Sequence, residues 1–159
     1  RLGEFITRMG ARGDQPGALN FPTHIGSDLQ GNLYITDSMN FRAQMLAAAG
    51  NNWFAFGRHG NGSGDFASPK GIGVDDNGNI YIAETLFDNV QIFDQRGAYL
   101  LAIGSQGSGP GQFWMPSGLF IDENDRLYVC DTYNKRIQLF DLLTGTNGEA
   151  TPTQGETEK

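Results

Sequence analysis

Cysteine occurs once, at Cys130, which excludes an intramolecular disulfide and any zinc site built on several cysteines. Histidine occurs twice, at His24 and His59, and two isolated histidines do not make a catalytic zinc site with three protein ligands. No apolar run approaches the roughly 18–20 residues of a membrane-spanning helix, so no membrane span is expected. Basic residues number 11 against 18 acidic ones, for a net charge of −7. Such a chain repels phosphate backbones, and nucleic acid is not an expected partner. No stretch carries a capped 3.6-residue apolar period, so helices are not expected either. Glycine, by contrast, is plentiful: 23 of 159 residues, spread without the three-residue period of collagen, which points to many tight turns. At this length one domain buries roughly 70% of its unfolded surface, enough for a sizeable core.

What dominates is an internal repeat. Pro22, Pro69 and Pro116 stand 47 residues apart, and the same step joins Asp28, Asp75 and Asp122. It also joins Tyr34, Tyr81 and Tyr128; Asp37, Glu84 and Asp131; Gln44, Gln91 and Gln138; and Gly10, Gly57 and Gly104. Each repeat reads as four short strands. In the second, Gly71–Asp75 is followed by the hairpin signal Asp76-Asn77-Gly78-Asn79, then Ile80–Ala83, Val90–Asp94 and Ala98–Ile103. β-Branched and aromatic residues bounded by Gly, Asn and Asp fit this reading. Repeated four-stranded units of about 40–50 residues describe propeller blades.

The third repeat is the most regular. Its segments Pro116–Asp122, Leu127–Thr132 and Asn134–Asp141 closely resemble the NHL repeat, whose pattern runs Pro-x-Gly-Ile-Ala-Val-Asp, Ile-Tyr-Val-Ala-Asp and Asn-x-Arg-Ile-Gln-Val-Phe. The resemblance covers residues 1–141. The first repeat departs at Ala43, Met45, Leu46 and Ala47, and the second carries Phe87 and Asn89 where the pattern has Asn and Arg. The resemblance implies an all-β, six-bladed β-propeller, of which this chain supplies three blades, at about residues 19–56, 66–103 and 113–141.

Residues 1–9 fall, in register, on a fourth, outermost strand: Ile6 aligns with Trp53 and Leu100. The third repeat ends after its third strand, and residues 142–159 form a polar tail with no fourth. A propeller cut this way closes when the first strand completes another blade. Two copies related by a two-fold axis would each supply that strand to the other, giving a homodimer through exchange of residues 1–9. A longer six-bladed chain, or another protein supplying the remaining blades, satisfies the same arithmetic.

The candidate chemistry is sparse. Asp37, Glu84 and Asp131 recur at the exit of the second strand, where a carboxylate accepts backbone N–H groups and shapes a loop, so they are read as architecture and no catalytic residue is assigned. Asp75-x-Asn77-x-Asn79 lacks the Gly at position six and Glu at position twelve of a calcium loop, having Ile80 and Leu86 there. No Gly-x-Ser-x-Gly elbow or phosphate loop occurs. Neither a metal nor a cofactor is expected. Arg12-Gly13-Asp14 spells a recognition tripeptide but falls in the connection repeated as His59-Gly60-Asn61. Cys130 takes the place of Thr36 and Ala83 and is expected to be a small buried group.

Residues that break the repeat are more informative. The loops joining second and third strands, and the connections entering each blade, carry Phe21, Phe41, Phe87, Trp114, Met115 and Tyr133. Such apolar groups either pack between blades or form a partner-binding surface. The expected function is a noncatalytic scaffold binding a protein or peptide there, a role NHL propellers commonly serve. The alternative is a six-bladed-propeller enzyme, a metal-dependent lyase or hydrolase with its site at the central channel. The resemblance, with a chain that opens on Arg1 rather than Met, implies an extracytoplasmic location, periplasmic or secreted.

Overall fold

A computed structural model describes residues 3–50 and 52–142. The expected polar tail, but for Leu142, lies outside the described residues. A short parallel pair, β1 (Ala11–Arg12) and β2 (Ala18–Leu19), precedes three antiparallel meanders. The first blade is β3 (Pro22–Ser27), β4 (Leu33–Asp37), β5 (Arg42–Leu46) and β6 (Trp53–Phe56). The second is β7 (Pro69–Val74), β8 (Ile80–Glu84), β9 (Asn89–Phe93) and β10 (Tyr99–Ile103). The third has, among the described residues, three strands: β11 (Pro116–Ile121), β12 (Arg126–Asp131) and β13 (Arg136–Asp141).

The repeated aspartate makes the first hairpin of each blade. Asp75 accepts from the Asn79 backbone N–H and side-chain amide, both at 2.8 Å, and from the Tyr81 hydroxyl at 3.0 Å. Asp28 does the same for Asn32 and Tyr34. Burial first, and then the bond donated to Asp28, push the Tyr34 phenol up to about 12. The turn is thus tied to the strand that follows it, and the strand enters in one register.

Blades pack face to face through two cores. Tyr34, Phe56, Phe66, Ile72, Ile82 and Phe93 belong to the first, between blades one and two. Tyr81, Val90, Ile92, Phe113, Leu127 and Val129 form the second, between blades two and three. The middle blade is therefore covered on both sides, and every residue of β8 is buried. Hydroxyls stitch the blades together: Thr36 donates to the Lys70 carbonyl (2.7 Å), Ser38 to Pro69 (2.6 Å) and Thr85 to Pro116 (2.7 Å). The inner strands approach so closely that a Cβ on Gly71 would lie 2.6 Å from the Leu119 backbone nitrogen. Gly71→Ala is expected to cost about 1–3 kcal/mol by forcing blades two and three apart. Urea unfolding checks this, and an unchanged midpoint would show that the strands have room to separate.

Among the described residues no further blade covers the outer faces of the first and third blades. Cys130 is exposed there, contrary to the expectation of burial, whereas Thr36 and Ala83 at the same register are fully buried. The cause is position in the ring: each of those two residues has a following blade laid over it and Cys130 has none. Phe120, Ile137 and Leu139 are exposed on the third blade, as is Ile25 on the first. Residues 3–10 form no strand with any described residue, and Phe5, Ile6 and Met9 are exposed.

Candidate functional site

The loop end of each blade is organised by the buried carboxylate at the exit of its second strand. Asp37 accepts from the Asn20 N–H (2.6 Å), the Asn40 and Gln44 amides (2.8 and 3.0 Å) and Arg42 Nε (2.8 Å). Asp131 repeats the set with the Trp114 N–H (2.8 Å), Asn134, Gln138 and Arg136 Nε (2.7 Å). Burial opposes ionisation of Asp131, but the Trp114 N–H, the Asn134 amide and the Arg136 guanidinium together hold its carboxyl below the usual range. Among the described residues Glu84 has no arginine partner. It accepts from the N–H groups of Ala67, Ser68 and Leu86, and burial pushes its carboxyl up. All three carboxylates are engaged by the chain's own donors, Glu84 by backbone N–H groups and Asp37 and Asp131 chiefly by side chains, and these bonds shape the loop end.

This clamp brings two short segments together at the end of each blade. The Ser38 N–H donates to the Phe21 carbonyl in the first blade, and the Tyr133 N–H to the Trp114 carbonyl in the third. Trp114 and Tyr133 therefore stand side by side, with ring centroids 5.3 Å apart, and both are about half exposed (48% and 54%). Phe21 is 74% exposed and holds a left-handed backbone, φ 54°, as does Met115 at φ 51°. For a bulky side chain that conformation costs roughly 1–2 kcal/mol.

The other sequence-nominated residues are less available. Phe41 is half-buried, packed on the first core with its ring 4.3 Å from that of His59. Phe87 and Met115 are half-buried as well. Exposed Met39 and Leu86 belong to the same blade ends. Met39 escaped the sequence reading although it shares the register of Leu86 and Tyr133, which was the signal that could have found it. Among the described residues no three His, Cys, Asp or Glu side chains converge as a metal site.

A family model described as "6-bladed beta-propeller" matches residues 76–151. No curated protein matches the chain in sequence. Among solved structures the chain is similar to virginiamycin B lyase from Staphylococcus aureus, with 14% identity and a TM-score of 0.53 over 78% of this chain and 42% of that one. It is similar to a gluconolactonase from Xanthomonas campestris, with 19% identity and a TM-score of 0.52 over 72% and 36% of the two chains. A chain of a nidogen/laminin complex gives 22% identity and a TM-score of 0.60 over 77% and 45%. This chain spans less than half the length of each of those proteins, and at such identities the likeness is one of fold. The meanders, their face-to-face packing and these similarities give the chain an all-β, β-propeller fold, three blades of a partial ring.

Proposed function

We propose that the chain is a noncatalytic scaffold of NHL-type blades, that two copies close a six-bladed ring outside the cytoplasm, and that the ring binds a protein or peptide at its loop end. The observation that carries the binding surface is the Trp114–Tyr133 pair, two aromatic rings in contact with each other and open to solvent where the repeat demands nothing large. The strained backbone at Phe21 supports it, because the cost has no packing return in an exposed ring. The carboxylates, engaged by the chain's own backbone and side-chain donors, support a noncatalytic role.

Ring closure rests on the third blade. Thr132 stands where Ser38 and Thr85 each donate to the next blade; it pairs with Ser117 of its own blade (2.7 Å) as Ser38 does with Thr23 (2.8 Å), but it is exposed and, among the described residues, has no next blade to donate to. β13 has a free edge among the described residues, the place a fourth strand takes in the other two blades. Residues 3–9 carry the register and the unburied Phe5, Ile6 and Met9 to fill that place on a second copy.

Aromatic anchors dominate interface energetics, and truncating one costs about 2 kcal/mol or more. Trp114→Ala is expected to weaken binding of a partner recovered from native extract by at least ~30-fold. Phe21→Gly is expected to weaken it too while leaving the fold at least as stable, since glycine adopts the left-handed backbone freely. Calorimetric titration and thermal melts read both; full affinity in both variants would remove the aromatic surface.

A further inference from the structure

The middle blade lacks a part that its neighbours share. In the first blade the Arg42 guanidinium donates to the carbonyls of Asp14 (2.6 Å), Gln15 (3.0 Å) and Ala18 (2.9 Å). In the third, Arg136 donates to Ser108 (2.7 Å), Gly109 (2.7 Å) and Gln112 (2.8 Å). Asn40 and Asn134 add a bond to Gly13 and Gly107 of the same loops. One register step places Asn89 at the arginine position and Phe87 at the asparagine position of the middle blade. Neither reaches the loop.

The loop itself is conserved in shape across the three blades. The Gly60 N–H donates to the Phe66 carbonyl and the Asp65 N–H to Gly62, as their counterparts do in the other blades. Gln91 binds the Gly64 N–H (2.9 Å) and the Asp65 carbonyl (2.7 Å), as Gln44 and Gln138 do at theirs. The carbonyls of Asn61, Gly62 and Asp65 thus keep the loop geometry that elsewhere faces a guanidinium, and the guanidinium is gone. A cavity of about 210 Å³ stands there instead, lined by Asn61, Gly62, Ser63, Phe87, Asn89 and Tyr99 among others. Asn89 Oδ1 is a buried acceptor with no hydrogen-bond partner. The chain's own nearby guanidinium, Arg58, is held by Asp65 at 2.8 Å and does not line the cavity.

We propose that this cavity binds a guanidinium, the arginine side chain of a partner peptide, which restores from outside the group that Arg42 and Arg136 supply from within. The match is chemical. A guanidinium is a planar fork of five donors, suited to several carbonyls at once, and it stacks on aromatic faces such as Phe87 and Tyr99. An ammonium is a compact, strongly hydrated charge without the fork. The chain's excess of acidic residues favours a cationic ligand. The site shares Phe87 with the proposed loop-end surface and in that respect rests on that reading, but its test needs no protein partner.

The test is an NMR titration of the full chain with N-acetyl-L-arginine amide, alongside the lysine and citrulline counterparts. Expected are saturable shifts at the amides of 61–65 and 89 with the arginine probe. Half-saturation should come at least tenfold earlier than with lysine, and citrulline should give no saturable shift. The double variant Phe87→Asn, Asn89→Arg rebuilds the clamp of the other blades; it should abolish the shifts without lowering the melting temperature. Asn89→Leu, which removes the orphan acceptor and fills the space, should weaken the arginine probe at least tenfold should the double variant fold poorly. No saturable shift at 61–65, equal response to citrulline, or undiminished binding in Asn89→Leu would each overturn the site. Loss of the arginine site with Trp114→Ala still damaging partner binding would leave the aromatic surface standing, and the converse result would separate them the other way.

Discussion

Asp37→Ala is expected to cost about 3–5 kcal/mol, a large fraction of the stability of a domain this size. The carboxylate is fully buried and its partner Arg42 nearly so, with side-chain exposures of 0% and 13%. Removing it leaves the Arg42 guanidinium charge uncompensated and strands the Asn20 N–H together with the amides of Asn40 and Gln44. Breaking a buried pair by deleting one partner incurs that penalty in full. The Arg58–Asp65 pair provides the control: Arg58 is 83% exposed, and Arg58→Ala is expected to leave the denaturation midpoint nearly unchanged. Chemical denaturation of the two variants compares them directly. Equal losses would show that the clamp at the end of the first blade is no more than a surface ion pair.

The second large effect falls on assembly. Deleting residues 1–9 removes Phe5, Ile6 and Met9, which are exposed in the single chain and which the proposed strand exchange would bury against another copy's third blade. Full burial of each contributes about 1.5–3 kcal/mol. Their joint loss is expected to weaken assembly by at least about a thousandfold. The free edge of β13 and the exposed Phe120, Ile137 and Leu139 would then remain open, and such edges and faces invite nonspecific association. Sedimentation of the truncated chain should show monomer or irregular aggregate in place of a defined species. An unaltered assembly after truncation would remove the segment from the interface.

Much of this architecture was legible because the repeat is strict. The 47-residue step placed the eleven strands of the three blades, though not the short β1–β2 pair, and the Asp75-type hairpins and strand-exit carboxylates followed from what short acidic side chains do beside N–H donors. A repeat, however, assigns equivalent positions and not equivalent surroundings. Cys130 shares its register with buried Thr36 and Ala83 yet lies exposed, since burial depends on whether a blade follows. Phe41 breaks the pattern as visibly as Trp114 does, but its ring turns onto the first core and His59. The substitution of Phe87 and Asn89 was apparent as an irregularity. Only the hydrogen bonds of Arg42 and Arg136 reveal which carbonyls it leaves without a guanidinium.

The central claim is that this chain is half of a ring that closes on a second copy. Light scattering of the intact chain at low micromolar concentration tests it most directly. The expected result is a single compact species at about twice 17.3 kDa. A compact, monodisperse species of 17.3 kDa would contradict it.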